Sequence, residues 1–394
     1  MKTNTNQILD SFEIGEKSGI SYIQIDEIIQ NTSKVIIGDN TLTNFGNCSY
    51  LGLDHLQSVR EKIITAIKKY GGLYSSSRAF SSLRFLSQTE EKISQLFGRE
   101  SILYTTTGIA YLSVIPALIS KKDLIVFDRR VHKTIQNAIW MTKGYGINAV
   151  SINHNAKEEL EELIINYKSK YNKIYLMMDS IYSMSGMVAP LQYYYSLLEK
   201  YDSFYLYADD AHGMSWTGDH GIGLLLSTVP WHEKLIMATS FSKGFGAHGS
   251  AVFFPNKKMK NQIKYMGSGT VFSGPLPPPS LASIQACAEI HLSNEILSYQ
   301  KKLSENLDYF NHQCKTHTIP LISTSISPVN FIELGATETT LQLVSRLLLS
   351  GMIVNACDFP AVSRNKSGIR ITINAMHTKE EIYHLVQLIS QQKN

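Results

Sequence analysis

Three observations predict a layered α/β fold, with a mostly parallel sheet covered by helices and a smaller α+β domain at the C-terminal end. First, short runs that are apolar on both faces, "DLIVFD", "KIYLMMDS", "FYLYADD" and "KLIMATS", alternate with helical stretches through the middle of the chain. Strands buried on both faces belong to parallel sheets with helices on each side. Second, that alternation stops near residue 286. Third, polar residues gather directly after the strand-like runs, at the strand ends where ligands bind in such sheets. With 394 residues, 43% of them hydrophobic and 18% charged, the chain can bury a large core and form one larger and one smaller domain.

Residues 1–55 read as an N-terminal arm, 56–285 as the large domain and 286–394 as the small C-terminal domain. "LQSVREKIITAIKKYG" has helical periodicity and stops at Gly71-Gly72, and "SQTEEKISQLFG" is a second helix ending at glycine. Then "SILYTTTG" leads into "IAYLSVIPALIS", "DLIVFD" into "VHKTIQNAIWMTKGYG", and "AVSI" into "AKEELEELIINYKSKY". "KIYLMMDS" precedes "LQYYYSLLEKY", and "FYLYADD", "KLIMATS" and "GSAVFF" complete the sheet. Beyond it, a long helical stretch and the runs "SPVNFIELG" and "GIRITINA" make the small domain.

Several classes are disfavoured. The net charge of +4 is small and the lysines are scattered, which argues against nucleic acid and membrane surfaces. The four cysteines lie far apart with no CxxC, as expected of reduced thiols in the cytoplasm and not of a structural zinc or disulfide frame, and no metal is expected. "MKTNTNQILD" has no apolar core of a signal peptide, and no apolar run approaches a membrane span.

The strand ends carry the chemistry. After "KLIMAT" comes "SFSKGFGAHGS" with Ser240 and Lys243; after "FYLYA" comes "DDAHG" with Asp209 and His212. "DSIYSMSG" brings Asp179 and Ser183, "DRRVHKT" brings His132, and "TTGIA" sets Gly108, Ile109 and Ala110 at a helix start. An amine, an acid, histidines, hydroxyls and a helix N-terminus are the set pyridoxal phosphate (PLP) requires. The amine forms a Schiff base with the aldehyde, the carboxylate pairs with the pyridine nitrogen, a histidine stacks on the ring, and backbone N–H groups take the phosphate. Taken singly, each residue has a plainer reading: Lys243 as a loop lysine, Asp210 as a helix cap, His212 as a satisfied core histidine, His132 as the cap of the next helix.

The motifs "DDAHG", "SFSKGFG" and "DSIYSMSGMVAPL" together resemble the α-oxoamine synthases, a branch of the fold-type I PLP enzymes, over most of the chain from Tyr50 onward. "DSIYS" and "PAVSRNKSGIR" are similar to the α-hydroxyketone autoinducer synthase branch. The resemblance implies a PLP-dependent acyltransferase that condenses an amino acid with an acyl-CoA, usually with loss of CO2, to an α-amino ketone through an aldimine of Lys243 and a quinonoid carbanion. It implies that Lys243 holds PLP and acts as general base, that Asp209 pairs with the pyridine nitrogen, that His212 and Ser183 lie near the phenolic oxygen, and that His132 stacks on the ring. Gly108, Ile109, Ala110 and Ser240 would serve the phosphate. In "VFSGPLPPP", Ser273 would reach the phosphate of a neighbouring subunit, which implies a homodimer with shared active sites. Where the family carries a carboxylate-binding arginine this chain has Asp358-Phe359, so Arg370, with Arg78 as a second candidate, is expected to hold the substrate. A fold-type I aminotransferase and a non-catalytic partner subunit remain the alternatives.

Overall fold

The computed structural model describes residue 9 and residues 12–391. The stretch read for a signal peptide lies almost wholly outside the described residues. The chain divides into two compact units. One contains the chain up to Gly52, the segment Ser183–Met187 and everything from Tyr299 onward; the other contains Leu53–Tyr182 and Val188–Ser298.

After a helical stretch at residues 12–17, the first unit has three strands, β1 (Glu27–Ile28), β2 (Lys34–Ile37) and β3 (Asn40–Asn44). The second unit then supplies helices α1 (Gln57–Tyr70) and α2 (Arg84–Phe97) and a seven-stranded sheet. Its strands are β4 (Glu100–Tyr104), β5 (Leu124–Asp128), β6 (Asn148–Ile152), β7 (Ile174–Asp179), β8 (Phe204–Asp209), β9 (Leu235–Ser240) and β10 (Ser250–Phe254). Their order is β4-β10-β9-β8-β7-β5-β6, and β10 alone runs antiparallel to its neighbours. Every residue of β5, β7, β9 and β10 is buried, as the two-faced apolar runs predict. Helices α3 (Thr107–Leu118) and α4 (Lys133–Gly144) follow β4 and β5, and their apolar sides join Ile125, Ile236 and Val252 in one continuous core. Trailing this sheet, α5 (Pro278–Leu292) is buried along most of its length, which explains a sequence with no polar face.

The first unit resumes in β11 (Val329–Gly335), β12 (Met352–Ile353), β13 (Asn355–Cys357) and β14 (Ser367–Thr372), with helix α6 (Lys379–Ser390). β12 adds to β3 in parallel, and β11, β14 and β13 form a separate three-stranded sheet. The arm read at the N-terminus is therefore part of a sheet completed by the C-terminal chain: Ser33 Oγ donates to Glu381 Oε2 at 3.4 Å.

Candidate active site

The lysine loop is built by its aromatic neighbours. After Ser240 the chain doubles back, with the Phe241 N–H donating to the Gly249 carbonyl and the Ala247 N–H to the Phe241 carbonyl, both at 2.9 Å. Phe241 and Phe245 are fully buried with ring centroids 4.5 Å apart, and Phe245 stacks on His291 at 4.4 Å. Gly246 has φ +77, and a Cβ there would lie 2.7 Å from Leu53 Cβ and 2.9 Å from the Asp54 amide nitrogen, so only glycine lets the backbone pass. The phenylalanines and glycines of this motif thus pin a loop whose lysine stays half-buried. Lys243 Nζ lies 2.9 Å from His212 Nε2.

Asp209 ends β8, with Oδ1 accepting from the Ala211 N–H at 2.9 Å and Oδ2 accepting from the Tyr111 hydroxyl. Its register partner on β7 is Asp179, whose Oδ1 accepts from the His132 N–H at 3.2 Å. Burial and the charge of Asp209 push the Asp179 carboxyl well above the usual carboxylate range, which favours the neutral acid. His132 caps α4: its Nδ1 faces the Thr134 hydroxyl at 2.6 Å and accepts from the Thr134 N–H at 3.4 Å. Burial lowers the His132 pKa; Asp209 opposes that shift and Lys243 adds to it, so the ring is neutral at pH 7. Capping by Nδ1 leaves Nε2 and the ring face for other contacts.

The N-terminus of α3 is open. Thr106 caps it through Oγ1, which accepts from the Ile109 N–H at 3.3 Å, while the Ala110 N–H donates to the Thr106 carbonyl at 3.0 Å. The Ile109 and Ala110 amides, expected to face an anion, are thus engaged by Thr106 in this structure. Among the described residues, the amides of Thr107 and Gly108 have no protein acceptor. A Cβ on Gly108 would meet nothing nearer than 3.6 Å, so the space over this turn is clear. Free amides at the positive end of a helix dipole suit a phosphate. Ser240 Oγ accepts from the Ser242 N–H at 3.2 Å and keeps its own proton to donate.

Asp210 is buried beside this rim and not in it. Its carboxylate accepts from the Ser180 hydroxyl and from the Leu225 N–H at 3.3 Å, in the short helix Gly223–Thr228, and burial raises its pKa to about 7. It is a capping acid, as its sequence context suggested, but for a helix more than ten residues away.

In the other unit, Arg370 on β14 is buried, with Nε donating to the Ser183 carbonyl at 2.7 Å and Nη2 facing Cys48 Sγ at 3.6 Å. Ser183 and Arg370 are thus brought together by backbone. Arg78 is engaged elsewhere: its two Nη groups donate bidentately to Glu90, at 2.8 and 3.0 Å, so part of its donor set is already committed. Ser273 is half-buried in the loop before α5, and His248 is exposed. His377 is a core histidine, stacked on Phe45 at 4.0 Å with both ring nitrogens bonded to backbone.

Sequence reading missed Tyr111 as part of this rim and Thr107 as a donor, and named Asp179 without giving it a role. Tyr111 sits in the apolar run "IAYLSVIPAL" and looks like core, which it also is. Asp179 was visible at a strand end, but its pairing with Asp209 needs the strand order.

An amine beside a histidine, two buried acids side by side, a flat imidazole and an uncommitted helix N-terminus fit PLP, and no other donor set on this rim competes. Fold and site together define a fold-type I PLP-dependent enzyme. The family model "Aminotransferase class I and II" matches residues 40–389. A serine palmitoyltransferase of Sphingobacterium spiritivorum is 30% identical over 95% of this chain and 92% of its own length. An 8-amino-7-oxononanoate synthase of Buchnera aphidicola is 30% identical over 92% of each. Among solved structures, Sphingomonas wittichii serine palmitoyltransferase superposes with a TM-score of 0.89 at 20% identity, over 99% of this chain and 97% of that one. The chain belongs to the α-oxoamine synthases within aminotransferase class I and II: it is a PLP-dependent acyltransferase that condenses an amino acid with an acyl-CoA.

Proposed function

We propose that Lys243 carries the reaction of this enzyme, which joins a small α-amino acid to a medium- or long-chain acyl-CoA. The observation behind this is the 2.9 Å contact between Lys243 Nζ and His212 Nε2 on a loop immobilised by Phe241 and Phe245. When bound, PLP supplies an electrophilic aldehyde and a ring that withdraws electrons from the substrate α-carbon. Lys243 Nζ anchors the cofactor and then removes the α-proton of the amino acid; His212 holds that amine in place and shares its proton. Asp209 keeps a negative charge at the pyridine nitrogen, and neutral His132 offers a flat face without adding a cation. Thr107 and Gly108 amides, with the Ser240 hydroxyl, take the phosphate. Arg370 is the candidate for the substrate carboxylate, with its Nε oriented by the Ser183 carbonyl. Serine is the first amino acid to test, because serine palmitoyltransferases stand among the relatives.

A homodimer is part of the proposal. Phe272, next to Ser273 in the chain, is 87% exposed, and Phe80 and Leu73, on the loop whose Ser77 hydroxyl donates to the Val271 carbonyl, are 88% and 72% exposed, apolar side chains that a second copy would cover. A cytoplasmic location is the other part, supported by four cysteines none of which is in a disulfide.

The test is thiol release from acyl-CoAs of graded length with glycine, alanine, serine and 2-aminobutyrate, with product masses recorded. The expected result is an amino-ketone mass and CoA release that Lys243→Ala reduces by about 10²-fold or more. Consumption of a 2-oxo acid by PLP-loaded protein without CoA release would overturn the reading in favour of transamination.

A further inference from the structure

Two carboxylates reach the rim side by side. Asp179 and Asp209 are register partners on parallel neighbours, and both are buried. Two negative charges on neighbouring strand ends in a dry site repel, which favours a proton on Asp179, while Lys243 opposes this. The hydrogen-bond partners of the two acids differ. Asp179 accepts one backbone N–H, from His132, at 3.2 Å. Asp209 accepts the Ala211 N–H at 2.9 Å and also the hydroxyl of Tyr111.

Tyr111 projects from α3, on a different element from either acid, and is fully buried. Its ring packs edge-on against Tyr207, with centroids 6.3 Å apart. The Tyr207 hydroxyl has no partner among the described residues, so burial in this layer does not itself demand a carboxylate for a phenol. Burial and Asp209 push the Tyr111 phenol well above its ordinary pKa, so it stays a donor at every pH the protein survives. The other groups facing the acid pair are His132, Tyr207 and Asp210 at Asp209, and Lys243 and Asp128 at Asp179.

We infer that Tyr111 is a positioning residue of the active site: its phenol fixes the single negative charge of the Asp179–Asp209 pair on Asp209 and leaves Asp179 as the neutral acid. This rests on the assignment of Asp209 to the pyridine nitrogen. Tyr111 touches neither substrate nor cofactor in this role. It acts through Asp209, by holding Oδ2 in one orientation and stabilising its ionised form.

The experiment is PLP titration of the apoprotein, read by cofactor fluorescence, for wild type, Tyr111→Phe and the double variant Tyr111→Phe/Asp179→Asn. A hydrogen bond to a charged group is worth enough that Tyr111→Phe should bind PLP about tenfold more weakly or worse. Asn at 179 keeps an acceptor for the His132 N–H but cannot ionise, so the charge returns to Asp209. The double variant should recover most of the lost affinity, and 15N-labelled PLP should show its pyridine nitrogen protonated in wild type and double variant but titrating in Tyr111→Phe. A packing role for the tyrosine would not be rescued from β7. The inference is overturned if Tyr111→Phe binds PLP as tightly as wild type, if Asp179→Asn fails to restore binding, or if Tyr111→Phe does not fold. Failure of the wild type itself to bind PLP would instead remove the assignment beneath it.

Discussion

Buried histidines set the acid limit of this protein. His377 donates from Nε2 to the Asn44 carbonyl and accepts at Nδ1 from the Asn374 N–H, and burial lowers its pKa from 6.5 to about 3. His291 lies between the Cys287 carbonyl at 2.7 Å and the Ser215 hydroxyl at 2.9 Å, and burial lowers its pKa to about 4. Both are neutral when folded and gain a proton on unfolding once the pH is below 6.5. The unfolded chain then binds more protons, so stability falls as pH drops through this window. At pH 5 each histidine should contribute a loss of about 2 kcal/mol relative to pH 7. Urea unfolding at both pH values checks this, and His377→Gln should flatten the dependence. Residue by residue, Lys243, Asp209 and His212 were legible because each is the polar end of an apolar run. Tyr111 was not, because a buried tyrosine in a helix is indistinguishable from core until its hydroxyl is seen to meet an acid on another strand. The pairing of Arg78 was hidden for a related reason: its partner Glu90 is twelve residues on, and nothing in the spacing says that the pair is bidentate.

At the scale of elements, the lysine loop and the caps carry the predictions. Gly246→Ala places a methyl against the Leu53 side chain and the Asp54 backbone at positive φ. It should cost about 1–3 kcal/mol of stability and lower PLP occupancy, measured by thermal melting and cofactor absorbance. Helix α6 begins with a capping box in which the Glu381 N–H donates to Thr378 Oγ1 at 3.2 Å and the Thr378 N–H to Glu381 Oε2 at 2.9 Å. Thr378→Ala should destabilise by about 1 kcal/mol without changing PLP binding, as denaturant titration will show. The central strands β5, β7 and β9 were readable because burial on both faces leaves mostly apolar residues. β12, two residues long, was not, since it exists only by pairing Met352 with Thr43.

At the scale of the whole molecule, the exposed Phe80 and Phe272 predict association. Replacing both by aspartate should shift sedimentation from dimer to monomer, and Ser273→Ala should weaken PLP retention only if the dimer forms. Nothing in the linear pattern announced that the first forty-odd residues complete a sheet with the last hundred, because strand pairing over that distance leaves no local period. The reversed strand β10 has a consequence for biosynthesis. β4 is made early and pairs only with β10, where Ser250 lies 146 residues beyond its partner Tyr104. Until β10 emerges from the ribosome, β4 has no neighbour in the sheet, and the apolar strands beside the gap cannot close their core. Stalled chains whose β10 is still inside the exit tunnel should therefore be captured by chaperones or pellet, and those long enough for Phe254 to have cleared it should begin to resist protease, an abrupt step in a series of nascent-chain lengths.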